Sequence, residues 1–301
     1  MQLLHTPPCP TRSSQGRAAH WLGLLMLLGA CSAQAEKVQI ASFDQTRGQV
    51  IGLLGHWFPS KAGAEAAAPA VVLLHGCGGP YDKKGALSER MQSYVALLNA
   101  EGWHALVLDS LTPRGEKELC TQKIGTRAVT MTERRRDTFG ALQWLAAHPQ
   151  VDATRLALLG WSNGGSTVLA SSNTRHAEVQ AAMDKGTKLR AAVAFYPGCE
   201  ADLKRGYAPA APLLMLSGGS DDWTAAAPCE ALARLAQGGV RPQIKVYPGA
   251  FHGFDALTPV RLRADVPNGV VPGAGVHVGG QPEAREASRQ DMLKFFREHL
   301  N

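Results

Sequence analysis

Gly160-Trp161-Ser162-Asn163-Gly164 sets a serine in the pattern G-x-S-x-G. A serine hydroxyl is a weak nucleophile until a neighbouring base takes its proton, so the pattern has meaning only with a base and an orienting acid. Both follow it in the chain. Asp221 and Asp222 close the stretch Ser217-Gly218-Gly219-Ser220-Asp221-Asp222, and His252 stands in Pro248-Gly249-Ala250-Phe251-His252-Gly253-Phe254. Ser, then Asp, then His is the order in which a nucleophile-elbow serine finds its partners. Such a set can attack a carbonyl carbon, with His252 as general base and Asp221 holding its imidazole. Adjacent residues cannot both point at one imidazole. Asp221, three residues after Gly218, is preferred as the acid, and Asp222 is left to cap or to face solvent. Two carboxylates on one turn cannot flank a glycosidic bond, which removes a paired-carboxylate glycosidase.

Acyl transfer also needs backbone N–H groups aimed where negative charge develops. One belongs to the residue after the nucleophile, Asn163. The second is expected from His75-Gly76-Cys77-Gly78-Gly79, with Cys77 as donor because glycines on both sides let the loop approach a substrate. A plain glycine-rich turn is the competing reading, and a phosphate loop is disfavoured because no G-x-x-x-x-G-K follows. His75 ends a strand but precedes the elbow, while His176, His277 and His299 lie on helix-like or loop segments.

These residues must be positioned by something. Short apolar runs at 71–74, 105–108, 156–159, 191–195, 213–216 and 244–247 read as strands buried on both faces. Helix-like stretches at 88–100, 132–148, 164–173, 225–237 and 283–299 alternate with them. That alternation predicts an α/β fold, a mostly parallel sheet with helices on both faces. Residues 38–43 and 50–58 read as an early hairpin, and 255–282, rich in Gly, Pro and Val, as a long loop. The G-x-S-x-G motif falls between a strand and a helix start, the setting that a strained elbow requires. Trp223, Tyr196, Phe251 and the 255–282 segment are candidates to border a pocket. Arg114 could bind an acidic substrate group or serve a structural salt bridge.

At 45% hydrophobic and 19% charged residues, the 301-residue chain has the composition of a folded globular protein rather than a disordered one. No run of eighteen apolar residues occurs. Residues 1–35 are expected to be a signal peptide, with Arg12 and Arg17 before the apolar stretch Trp21 to Ala30 and small residues at Ala33 and Ala35. Leu28-Gly29-Ala30-Cys31 resembles a bacterial lipobox and overlaps the first site, so lipidation at Cys31 competes with cleavage after Ala35. Residues 36–301 then form a single domain that is periplasmic or secreted, or a membrane-anchored lipoprotein if Cys31 is lipidated. Removing residues 1–35 takes away two arginines and no acids, lowering the formal charge from +6 to +4. The only basic run, Arg134-Arg135-Arg136, reads as a solvated helix face, and no nucleic-acid module accompanies it. With Cys9 and Cys31 set aside, Cys77, Cys120, Cys199 and Cys229 remain, and their three possible pairings stay open. No metal-ligand spacing is present, so a metal is not expected.

The segments Leu74-His75-Gly76-Cys77-Gly78-Gly79, Gly160-Trp161-Ser162-Asn163-Gly164-Gly165, Gly219-Ser220-Asp221-Asp222-Trp223 and Phe251-His252-Gly253-Phe254 together resemble the dienelactone hydrolase family. The resemblance covers most of residues 60–300. It implies an α/β-hydrolase fold without a large cap domain, a triad at the carboxyl ends of the strands and no cofactor. It also implies the disulfides Cys77–Cys120 and Cys199–Cys229. The name-giving members use cysteine where this chain has Ser162, a departure that favours broader ester or lactone hydrolysis. The partner is then a small-molecule ester or lactone. A peptidase, a polysaccharide-deacetylating esterase and a non-catalytic binding protein that kept the fold are the alternatives.

Overall fold

Every residue of the strand Ala68–Leu74 is buried, as its unbroken apolar run predicts. This strand (β3) alternates between two cores. Ala70, Val72 and Leu74 join one apolar cluster, and Val71 and Leu73 join another on the opposite side. A strand that buries both faces needs helices on each of them. A computed structural model describes residues 35–46, 48–61 and 67–301. Apart from Ala35, the expected signal segment, including Cys31, lies outside the described residues.

The other strands are β1 (Glu36–Thr46), β2 (Gln49–Phe58), β4 (His104–Asp109), β5 (Val151–Trp161), β6 (Leu189–Phe195), β7 (Leu213–Gly218) and β8 (Gln243–Tyr247). They form one eight-stranded sheet in the order β1-β2-β4-β3-β5-β6-β7-β8. β1 and β2 are an antiparallel hairpin and β2 runs antiparallel to β4. From β4 to β8 every neighbour is parallel. Helices α1 (Glu89–Ala100) and α7 (Pro282–Leu300) cover one face, burying Tyr94, Leu98, Phe295 and Phe296. Helices α2 (Met131–Ala146), α3 (Asn163–Ser172), α4 (Ala177–Asp184) and α6 (Ala226–Leu235) cover the other, with Leu142, Val168, Val179 and Leu232. Each such side chain taken out of water contributes roughly 1.5–3 kcal/mol before chain entropy is charged against it. α2 starts where it does because Thr130 and Glu133 form a capping box, the Glu133 carboxylate accepting from the Thr130 N–H at 2.7 Å. The short helices α4 and α5 (Glu200–Arg205) are additions to the predicted set.

The helix after β3 lies on one face and the helix after β5 on the other, so a crevice opens between the carboxyl ends of these neighbouring strands. That is where ligands bind in open α/β sheets.

Two expectations are corrected. The 255–282 segment is not a featureless loop. It carries an antiparallel hairpin, β9 (Arg261–Arg263) with β10 (Val276–Val278), whose strands are too short to give an alternating pattern. Arg134-Arg135-Arg136 is not a solvated face either. Arg134 is fully buried, Arg135 is nearly so and ion-pairs with Glu178, and Arg136 pairs with Asp44 and Glu178. Among the described residues, no helix is long and apolar enough to cross a membrane.

Candidate active site

β5 ends at Trp161 and α3 begins at Asn163, leaving Ser162 alone at the turn with φ 55° and ψ −118°. A non-glycine residue in that region is strained, and such strain persists only where packing over-determines it. The glycines show how tight this packing is. A Cβ on Gly160 would sit 2.3 Å from the Gly164 carbonyl oxygen, and one on Gly164 would sit 1.9 Å from that of Leu74. A side chain at Gly160 would push α3 away from the end of β5, and one at Gly164 would push the elbow off β3. The loop after β3 presses in from the other side: a Cβ on Gly76 would lie 3.3 Å from the Trp161 carbonyl oxygen and 3.6 Å from Ser162 Cβ.

The acid and the histidine come from loops stitched to each other. The Ser220 N–H donates to the Ala250 carbonyl at 2.9 Å, and a Cβ on Gly218 would meet that same oxygen at 2.4 Å. The result is a chain of short hydrogen bonds. His252 Nε2 is 2.8 Å from Ser162 Oγ, and His252 Nδ1 is 2.8 Å from Asp221 Oδ2. Asp221 Oδ1 accepts from the N–H groups of Trp223 and Thr224, each at 2.8 Å, which fixes the carboxylate plane. Both Asp221 and His252 are buried. The imidazole packs against the rings of Tyr196 and Trp223, each with its centroid 4.6 Å away. A proton can therefore move from the serine to a base whose other nitrogen is already committed to a carboxylate.

Asp222 points elsewhere. Its oxygens take the His277 N–H at 2.8 Å and His277 Nδ1 at 2.7 Å, which ties β10 to the acid loop. Thr224, which no sequence signal marks, puts its hydroxyl 3.1 Å from both Asp221 Oδ2 and His252 Nδ1 and donates to the Tyr196 carbonyl at 3.0 Å.

A cavity of about 260 Å³ opens over the serine, its wall including Cys77, Trp223, His252, Arg261 and Arg263. A larger hollow of about 510 Å³ lies around Arg155 and Arg190, far from the serine and lacking any nucleophile–base pair. The smaller cavity is the one with chemistry in it. Trp223 and Tyr196 line it as expected, whereas Phe251 stacks on His277 instead. Arg114 does not reach it. Its guanidinium is locked to Asp137 and Asp44 at 2.8–2.9 Å and to the Ser110 carbonyl, so the structural salt bridge is the correct reading. The arginines at the cavity are Arg90, which is paired with Asp255, and Arg261 and Arg263, on the hairpin that sequence patterning did not reveal. Among the described residues, no three metal-ligating side chains cluster.

Of the expected N–H donors, Asn163 follows the serine as the first residue of α3, and Cys77 lines the cavity from the loop after β3. The Cys77 carbonyl is occupied by the Leu119 N–H at 2.7 Å, and the Cys77–Cys120 disulfide bolts this loop to the one after β4. The second disulfide joins Cys199 to Cys229. Cys77–Cys120 closes a separation of 43 residues, worth roughly 4 kcal/mol of unfolded-chain entropy. The double variant Cys77→Ser/Cys120→Ser, which keeps the backbone N–H, is expected to lower Tm by several degrees and to lower kcat as well. Thermal unfolding and initial rates measured together check this; an unchanged Tm contradicts it.

The model of the dienelactone hydrolase family matches residues 59–300. No curated protein matches the sequence. Among solved structures, a dienelactone hydrolase from Anabaena variabilis is similar over 89% of this chain and 100% of its own, at 19% identity and a TM-score of 0.58. A dienelactone hydrolase-like promiscuous phosphotriesterase from metagenomic libraries is similar over 89% and 100%, at 21% identity and a TM-score of 0.59. Esterase 2 of Thermogutta terrifontis, phosphorylated by paraoxon, follows at 14% identity over 87% and 92%, with a TM-score of 0.55. At these identities the likeness speaks for the fold.

Proposed function

The chain belongs to the dienelactone hydrolase family, and from that premise we propose that it is an exported serine hydrolase cleaving small carboxylic esters or lactones through an acyl-enzyme. The observation that carries the proposal is the unbroken 2.8 Å chain from Asp221 through His252 to a serine held at positive φ. Ser162 Oγ attacks the carbonyl carbon as its proton passes to His252 Nε2. Asp221 holds the Nδ1 proton and stabilises the imidazolium. The oxyanion is received by the N–H groups of Cys77 and Asn163. The C–O bond to the alcohol breaks as His252 returns its proton to the leaving oxygen. Water, deprotonated by His252, then attacks the acyl carbon and frees Ser162 and the acid.

Export is supported by the two disulfides, which persist in oxidising compartments, and by the charged-then-apolar pattern of residues 12–35. Lipidation at Cys31 would add a membrane anchor to that reading. Arg261 at the cavity mouth has no carboxylate partner among the described residues, while Arg263 pairs with Asp265. An acidic substituent on the substrate is therefore best matched by Arg261, not by Arg114.

A substrate panel tests the reaction class. Short-chain aryl esters and lactones are expected to turn over at least about a hundredfold faster than the matching anilides. Faster cleavage of peptide amides or of acetylated sugars would move the assignment to a peptidase or a deacetylase.

A further inference from the structure

Arg134 is a fully buried charged side chain that makes no direct ion pair among the described residues; the buried carboxylates of Asp137, which Arg114 holds, and of Asp109 support its charge from beyond contact. Its Nη1 donates to the His75 carbonyl at 2.8 Å and to Asn163 Oδ1 at 2.6 Å, while Nε and Nη2 have no hydrogen-bond partner among the described residues. A buried cation with no direct ion pair is expensive, and an apolar side chain would fill this space at less cost. What the guanidinium grips is specific. His75 begins the loop after β3 and Asn163 follows the nucleophile, so one side chain from α2 joins the two segments carrying the expected oxyanion donors.

His75 extends the grip. Its Nδ1 lies 2.7 Å from the Gly76 carbonyl oxygen, and its Nε2 accepts from the Ser110 N–H at 3.3 Å. A carbonyl only accepts, so the proton sits on Nδ1. Burial, with the nearby Arg134 charge, holds this imidazole's pKa down to about 3, so it stays neutral while it donates. The Gly76 carbonyl belongs to the same peptide unit as the Cys77 N–H. That oxygen also accepts from the Gly79 N–H at 3.2 Å, and donors on it fix the plane of the unit and polarise its N–H. Arg134, whose own pKa burial lowers to about 10, remains charged at neutral pH.

We propose that Arg134 and His75 are positioning residues for the oxyanion hole, Arg134 clamping the two donor segments together and His75 orienting the Cys77 N–H. This rests on the ester-hydrolase reading, because the hole acts only when a carbonyl oxygen gains charge. The clamp matters more in the transition state than in substrate binding, so its loss is read in kcat and not in KM.

The test uses the full, disulfide-intact protein, an aryl ester and a phenylboronic acid, which captures an active serine as a tetrahedral adduct. Arg134→Met is expected to lower kcat roughly 30- to 100-fold, since misplacing a donor costs less than deleting one. KM should stay within about twofold, and boronate affinity should fall in parallel with kcat. Asn163→Ala, which keeps the backbone N–H, is expected to give a smaller loss of the same kind. Combined with Arg134→Met it should add little, because both remove one linkage. Unchanged kcat and boronate affinity in Arg134→Met, a loss confined to KM, or full additivity overturns the inference. Should Arg134→Met not fold, Asn163→Ala alone decides: wild-type kcat and boronate affinity in that variant overturn it. Wild-type enzyme that neither turns over the ester nor binds the boronate sinks the hydrolase reading itself, an outcome distinct from active wild type with indifferent variants.

Discussion

Ser162→Ala is expected to fold like the parent chain and to lose at least about three orders of magnitude in kcat toward an aryl ester. The size of the loss follows from the division of labour. Without Oγ no acyl-enzyme forms, and only the oxyanion donors and binding remain to favour direct attack by water. The fold should survive because the strain at this position lies in the backbone, φ 55°, which alanine inherits unchanged. What disappears is one hydrogen bond to His252 Nε2, a change of about 1 kcal/mol. Initial rates and thermal unfolding on the same preparation check both halves. Retained turnover would contradict the nucleophile assignment, and collapse of the fold would contradict the account of the elbow.

Asp221→Asn is expected to cost kcat roughly a thousand- to ten-thousandfold, while Asp222→Asn costs no more than a few-fold. The contrast comes from hydrogen-bond polarity. Asp221 Oδ1 is fixed by two backbone N–H donors, Trp223 and Thr224, so an asparagine there must keep its carbonyl oxygen on that side. Its NH₂ then faces His252 Nδ1 at the place of Oδ2, 2.8 Å away. Two donors cannot share that contact. The imidazole is driven to the tautomer with its proton on Nε2, which cannot accept from Ser162. Asp222 holds only the His277 backbone and ring, so its amide should loosen the β10 hairpin and leave the triad intact. Steady-state kinetics of both variants decide between the neighbours, and equal losses would refute the assignment of Asp221 as the acid.

Much of this site is written locally in the chain. The elbow is legible because Gly160 and Gly164 answer to backbone atoms that no side chain could approach, a steric demand that leaves a spaced pattern. The strands β3 to β7 are legible because burial on both faces requires unbroken apolar runs. The hairpin β9–β10 is not: three-residue strands flanked by Gly and Pro carry no period, and Asp222 and His277, the pair that docks them, are 55 residues apart. Arg134 is hidden for a different reason. On a helix written Glu133-Arg134-Arg135-Arg136 it reads as one more charge of a basic run, and only the approach of the β3 loop and the elbow to α2 shows what it holds. Arg114 fits two roles equally well until Asp44, 70 positions upstream, is seen beside it. The disulfide pairs were implied by family resemblance, since four cysteines alone admit any of their pairings.

If His252 makes Ser162 nucleophilic, a fluorophosphonate probe will report that activation on the serine itself. Wild-type protein is expected to take up one adduct per chain, mapped by peptide mass spectrometry to the segment containing Ser162. Labelling should vanish in Ser162→Ala and slow greatly in His252→Ala. Active ester-hydrolysing protein that stays unlabelled, or that carries the adduct on a residue other than Ser162, would contradict the account.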